Sequence, residues 1–208
     1  QVYMPNNYFG WLNVTPRIGG RLTHYSETEG PGSTLGTADR FVLNTGVELS
    51  AKASKLYAGA ESKLFELNGL RHIIEPSLNY VYVPRPNEKP NELPQYDYEV
   101  TSARLLPIMY PEYNAIDAID AQNVLRMGLR NRLQTRRKNQ LDEFFDWAIY
   151  TDWRLNPLSG QQNFAGLFND ISFRPRSWIT LGSNLRYDVD EGMWRLINNS
   201  ITFAPTSK

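Results

Sequence analysis

The sequence predicts an all-β fold, an antiparallel up-and-down transmembrane β-barrel segment of about 8–10 long strands. Three observations predict it. Apolar and polar residues alternate with period two in successive runs of about ten residues, the length a strand needs to cross a bilayer and about twice the soluble average. The apolar side of the first seven runs holds no Asp, Glu, Lys or Arg, although 21% of the 208 residues are charged. Chance would put roughly eight charges on some forty such sites. No stretch approaches the ~18 apolar residues of a spanning helix, and alternating strands need none.

The first run, Tyr8 to His24, carries Leu12, Val14, Pro16, Ile18 and Leu22 on one parity and Asn13, Thr15, Arg17, Arg21 and Thr23 on the other. In the second, Phe41, Leu43, Val47, Leu49, Ala51 and Ala53 oppose Asn44, Glu48, Ser50 and Lys52. The third sets Ile74, Pro76, Leu78, Tyr80 and Tyr82 against Arg71, Glu75, Ser77 and Asn79. The fourth sets Leu125, Met127, Leu129 and Leu133 against Arg126, Arg130, Arg132 and Gln134. Phe145, Trp147, Ile149, Trp153 and Leu155 then oppose Asp146, Asp152 and Arg154; Leu167, Ile171 and Phe173 oppose Asp170, Ser172 and Arg174. Ile179, Leu181, Leu185 and Val189 oppose Thr180, Asn184, Arg186 and Asp188. An eighth run, Met193 to Pro205, is weaker, because Arg195 and Asn199 fall among Ile197, Ile201 and Phe203. Successive side chains of a strand point to opposite faces, so each run has an apolar and a polar face. Aromatics such as Trp11, Tyr25, Tyr57, Trp153, Tyr187 and Trp194 gather near run ends, as girdles at membrane interfaces do.

The connections set the topology. Residues 85–122, rich in Pro, Asn and Glu, form one long loop, and long barrel loops face outside. Runs four and five then join on the periplasmic side through 136–143. Runs five and six join outside near Ser159-Gly160, and six and seven inside at Arg176. Ile116 and Ile119, one turn apart, suggest a short helix over 114–122. Pro16 and Pro76 imply bulges, since proline cannot donate to a ladder. Residues 1–208 read as a single barrel segment.

Other classes fit less well. Lys+Arg and Asp+Glu are both 22, so no basic field invites nucleic acid. There is no cysteine, hence no disulfide framework or thiolate metal site. His24 and His72 lack both ligand spacing and a nucleophile partner, and the acids Glu88, Glu92, Asp97 and Glu99 read as solvated loop charge. No catalytic site, metal or cofactor is expected. The opening Gln-Val-Tyr-Met-Pro fits a processed chain or an internal piece of a longer one.

Specific residues resemble a known family. Glu75-Pro76, Tyr80-Val81-Tyr82-Val83-Pro84, then Leu93-Pro94 and Tyr96-Asp97, are similar to the barrel domain of the LptD lipopolysaccharide-assembly (organic solvent tolerance) proteins. Ala115-Ile116-Asp117, Ala121-Gln122-Asn123, Gly128-Leu129 and Asn131-Arg132-Leu133 extend the likeness, which is strongest over 70–133 and continues through Trp178-Ile179-Thr180-Leu181 and Arg186-Tyr187-Asp188. The resemblance implies a fragment of a barrel of roughly two dozen strands. It also implies a place in the outer membrane, among its lipids, and a role in inserting lipopolysaccharide into the outer leaflet. The implied partners are lipopolysaccharide, a lumen-plugging lipoprotein (LptE-like), and periplasmic bridge proteins that would dock on an N-terminal domain not seen here.

On that reading Arg126, Arg130, Arg132, Arg154, Arg174 and Arg186 face the lumen. They would meet lipopolysaccharide phosphates or the plug, since guanidinium forks match phosphate oxygens. Alternatively they form an ion-paired wall with Glu48, Glu75, Asp146 or Asp152. The Arg136-Arg137-Lys138 turn reads as solvated surface. Two other fold readings stand beside this one. A complete small barrel, porin-like or an adhesin, would close its sheet. A soluble carbohydrate-binding β-sandwich would bury its leucines against a second sheet.

Overall fold

A computed structural model describes residues 1–26, 36–97, 104–105, 108 and 116–204. The fold is all-β and antiparallel, as expected. Its strands are β1 (Val2–Tyr3), β2 (Asn6–Tyr8), β3 (Leu12–Tyr25), β4 (Ala38–Ala51), β5 (Ala53–Ser62), β6 (Leu67–Val83), β7 (Gln122–Arg137), β8 (Gln140–Arg154), β9 (Leu167–Arg176), β10 (Ile179–Asp188) and β11 (Met193–Phe203). Neighbours in sequence are neighbours in the sheet: the order is β1-β3-β4-β6-β7-β8-β9-β10-β11, with β2 also on β3 and β5 also on β6. The sheet is not closed, so the small closed barrel gains no support.

The chain groups into two compact units. The first is Gln1–Leu49, Leu78–Arg126 and Asp152–Asn163; the second is Ser50–Ser77, Met127–Thr151 and Phe164–Lys208. In the first unit the usual burial pattern is inverted. Ile18, Leu22 and Phe41 are 48%, 76% and 52% exposed, while Arg17, Arg40 and Asn44 on the opposite parity are 3%, 1% and 5% exposed. Apolar packing in this unit lies at the long-loop end of this polar-parity face. There Val42, Val81, Val83 and Ile119 cluster, and Tyr25 and Ala38 pack with Leu93.

The structure corrects several expected boundaries. The first run is a hairpin, not one strand: Phe9 and Gly10 turn with φ of 56° and 73°, and β2 folds back so that Tyr8 pairs with Leu12. The second run breaks at Lys52, and β5, which the sequence did not reveal, carries it on to Ser62. The expected 136–143 connection is a two-residue turn, Lys138-Asn139, with φ of 46° and 62°, the mirror-image geometry that suits strand twist. The expected helix over 114–122 is, from Ile116 on, a turn leading into β7 at Gln122; positions 114 and 115 lie outside the described residues. Its helix cannot form because Arg40 takes the carbonyls of Ile116, Asp117 and Ile119, the acceptors a helix would need.

Both strand prolines sit beside interruptions in a neighbouring strand. Tyr3 pairs with Arg17 and Asn6 with Val14, so Pro16 lies across from the Met4-Pro5 gap between β1 and β2. Met4 N–H still donates to the Pro16 carbonyl at 3.0 Å. Ala53 pairs with Ile74, which puts the Lys52 break next to Glu75-Pro76. The missing donor of each proline is placed where the ladder is already broken.

A bulge accounts for Arg195 in the weak eighth run, while Asn199 stays on the face of Ile197 and Ile201. Leu185 pairs with Ile197 and Arg186 with Leu196, but Tyr187 pairs with Trp194. Arg195 is the extra residue, and past it Trp194 joins Tyr187, ring to ring at 5.1 Å.

Gly46 marks the tightest crossing in the first unit. A Cβ there would lie 2.3 Å from the Tyr80 carbonyl oxygen and 2.8 Å from the Arg17 guanidinium. Arg17 passes over β4 at this point to donate to Asn79 Oδ1 at 2.6 Å and to the Tyr80 carbonyl at 3.1 Å on β6. Gly46→Ala is expected to cost ~1–3 kcal/mol by overpacking against backbone. A urea midpoint measured in lipid vesicles checks it, and Gly59→Ala, where a Cβ meets nothing within 4 Å, is the control.

Candidate functional site

The polar parity of β6, β7 and β8 carries ion pairs in each unit. In the first unit, Arg126 is bidentate on Asp152, at 2.6 and 2.9 Å. In the second, Arg130 pairs with Asp146 through both Nε and Nη2. Arg132 reaches Glu75 at 3.2 Å, and Lys52 reaches the other oxygen of Glu75 at 3.4 Å. Arg132 Nε also lies 2.6 Å from Glu143. That contact is a charge pair only, since its angle leaves Nε without a hydrogen bond. Three of the partnerships expected of a lumen wall are therefore in place, and Glu48 is not among them. Fork-to-carboxylate pairing holds each guanidinium in one plane.

The remaining arginines differ. Arg154 donates to the Gln162 carbonyl at 2.9 Å. Arg174 pairs with Asp142 at 2.8 Å and donates to the Ser177 carbonyl. Arg186 lies 5.2 Å over the Phe168 ring, and its Nε is buried without a hydrogen-bond partner.

The family-like motifs gather at two places. Glu75-Pro76 lies at the strand break, with Glu75 paired to Arg132 and Lys52. Tyr80 offers its carbonyl to Arg17, and Tyr82 is exposed on the apolar parity. Pro84 follows the last residue of β6.

The loop motifs fold onto β3 and β4. Arg40, fully buried, donates to the carbonyls of Ile116 and Asp117, each at 3.0 Å, to that of Ile119, and to that of Glu88 at 3.2 Å. Tyr25 donates to Asp117 at 2.5 Å. The Asp117 carboxylate also accepts the Tyr96 backbone N–H at 2.9 Å, and Asp117 N–H donates to Asp97 at 3.0 Å. Asp97 and Asp117, well apart in the chain, thus act as one clasp. Glu92 pairs with Lys89. Glu99 and Ala115 lie outside the described residues.

The turn cluster needs a correction. Arg137 is not solvated: its side chain is 5% exposed. It pairs with Asp142 at 3.0 Å and donates to the carbonyls of Phe65, Arg174 and Pro175 at 2.8–3.0 Å. It joins the β5–β6 turn to β9, and Glu66 completes the clasp. The Ser177 backbone N–H donates to Glu66 at 3.0 Å. That bond first, and Arg137 and Arg176 after it, hold the Glu66 carboxyl below its ordinary value against the opposing effect of burial. Sequence periodicity missed this site because residues 71 positions apart meet in it.

The histidines land apart from any nucleophile: His24 contacts Asp39 at 2.7 Å in an exposed pair, and His72 lies 3.4 Å from Asn131. Among the described residues no group of His, Asp and Glu is arranged to hold a metal, and no helix is long and apolar enough to cross a membrane, which says nothing of β-barrels.

No curated protein matches the chain. The model of one family does, LPS transport system D, over residues 2–208. An open antiparallel sheet of long strands, with the resembling motifs at its strand break and loop clasp, thus coincides with a match along nearly the whole chain: it belongs to the LptD family of lipopolysaccharide transport proteins.

Proposed function

We propose that this chain forms part of the wall of the outer-membrane barrel that inserts lipopolysaccharide into the outer leaflet. The inverted burial of the strands carries the reading. In the first unit Ile18, Leu22 and Phe41 are left outward while Arg17, Arg40 and Asn44 are covered. A water-soluble sheet would do the reverse, because exposed apolar area costs about 25 cal/mol per Å² in water and nothing in acyl chains. The polar face would then line the lumen. Its arginines mostly neutralise their own carboxylates, which suits a rigid, hydrated wall.

Arg154 and Arg186 stand apart. One guanidinium rests on a main-chain carbonyl and the other on a ring, neither on a carboxylate, so among the predicted arginines these two have charge to offer a lipopolysaccharide phosphate or a plugging lipoprotein. Lipid around the apolar face, the plug and the periplasmic bridge are the partners this reading calls for. A photo-reactive residue placed at Arg186, and separately at Leu185, in the intact protein in cells tests it. Position 186 is expected to capture lipopolysaccharide or a plug protein, and position 185 phospholipid or lipopolysaccharide acyl chains. Capture of soluble periplasmic proteins at 185 would sink the membrane reading.

A further inference from the structure

The second unit uses nearly all of its cations. Lys52, Arg130, Arg132, Arg137, Arg174, Arg176 and Arg195 have carboxylate partners. Arg71 donates to Ser54, Lys55 stacks on Tyr57, and Arg186 on Phe168. Among the described residues of this unit, three cations have no such partner: Lys63, Arg136 and Lys138. All three line one cavity of about 660 Å³, where the turns after β5, β7 and β9 converge.

We propose that this cavity binds the phosphorylated sugar headgroup of a glycolipid. It rests on the reading above that the chain handles lipopolysaccharide, and it adds a site that none of the predicted arginines belongs to. The volume lies within the 300–1,000 Å³ range of small-ligand sites. It is roomy for a bare phosphate and suited to a phosphate carried on a sugar. The cations come from two strand ends, Lys63 from the turn after β5 and Arg136 and Lys138 from the end of β7. Lys138 is fixed by its left-handed turn conformation, and the adjacent Arg137 is locked by its own bonds. Two carboxylates share the lining, Glu61 and Glu66. Glu66 is spent on Ser177, Arg137 and Arg176, so three free positive charges face one free negative charge. An isolated excess of this kind attracts a polyanion, and an arginine fork flanked by ammonium groups suits phosphate oxygens.

The test uses the intact protein in detergent, titrated calorimetrically with glucosamine 6-phosphate, glucosamine, inorganic phosphate and oligoglutamate. The phosphosugar is expected to bind more tightly than the other three. Joint replacement K63Q/R136Q/K138Q should weaken it by about tenfold or more, since it removes all three free positive charges of the cavity. Glu61→Gln should tighten it several-fold by removing the opposing charge, an opposite-signed result that misfolding cannot imitate. Micelles doped with a phosphorylated diglucosamine lipid should displace the soluble sugar. Unchanged binding in the triple variant, or equal binding of inorganic phosphate, overturns the assignment. Equal binding of oligoglutamate overturns it in favour of an acidic protein segment, and failure of the doped micelles to compete overturns the lipid source. If the cavity fails while a probe at position 186 still captures lipopolysaccharide, only the cavity is lost. Loss of that capture removes the reading beneath it.

Discussion

Arg137→Met is expected to destabilise the protein by ~3–5 kcal/mol, the cost of removing one partner from a buried ion pair. The reason is what stays behind. Asp142 would keep only Arg174, Glu66 would lose one of its two cations, and the carbonyls of Phe65, Arg174 and Pro175 would lose their donor. Each buried acceptor left unsatisfied costs ~1–3 kcal/mol. Methionine roughly matches the volume, so the loss is electrostatic and not a cavity. Arg137→Lys should recover little, because one ammonium cannot serve a carboxylate and several carbonyls that a planar fork reaches together. The aromatic set beneath, Phe65, Phe144 and Phe173 with centroids 5.2–6.4 Å apart, should loosen with it. Urea unfolding in vesicles, followed by tryptophan emission, reads the effect. Arg136→Met is the comparison, since Arg136 is exposed and should shift the midpoint by less than ~0.5 kcal/mol. Equal shifts for the two would refute the clasp.

The contrast between Arg136 and Arg137 also shows where sequence reading ends. The strands were legible because a face touching one medium must stay chemically uniform, and period two exposes that uniformity. Hence Ile18, Leu22, Phe41 and Leu43 could be assigned to a shared face with no structure. Pairings one strand apart, such as Arg130 with Asp146 and Arg132 with Glu75, were legible as options, because parity limits the partners. Arg137 was not. The register slips between Tyr57 and Glu61, and Gly69 adopts φ +73°, so parity no longer predicts facing near that end of the strands. Its partners lie on turns whose sequences look like ordinary solvated loops. β5 escaped for a related reason: Lys55, Leu56, Tyr57, Ala58 and Gly59 are exposed on both parities, and a strand wetted alike on both faces leaves no alternation.

Arg40→Ala is expected to release the long loop. The Arg40 donors go to four main-chain carbonyls, those of Glu88, Ile116, Asp117 and Ile119. A single side chain therefore does for this loop what a strand ladder does elsewhere, satisfying backbone acceptors that are shielded from water. Without it the Asp117 clasp with Tyr25, Tyr96 and Asp97 must hold the loop alone, and Ile119 loses its seat against Val42, Val81 and Val83. Exposing that cluster costs ~1.5–3 kcal/mol for each large apolar side chain uncovered, on top of the lost hydrogen bonds. The consequence is local, because β3, β4 and β6 keep their ladders. If the loop faces outward as proposed, the expected result is selective cleavage between residues 85 and 121 by a protease added to intact cells, at least tenfold faster than in the unaltered protein, with an unchanged urea midpoint for the remaining sheet. Tyr25→Phe, which removes one hydrogen bond to Asp117 and keeps the ring packed on Ala38 and Leu93, should raise cleavage only a few-fold, in line with ~1 kcal/mol for one such bond. Cleavage no faster in Arg40→Ala than in Tyr25→Phe would mean that the carbonyls find other donors and that the loop is held from elsewhere.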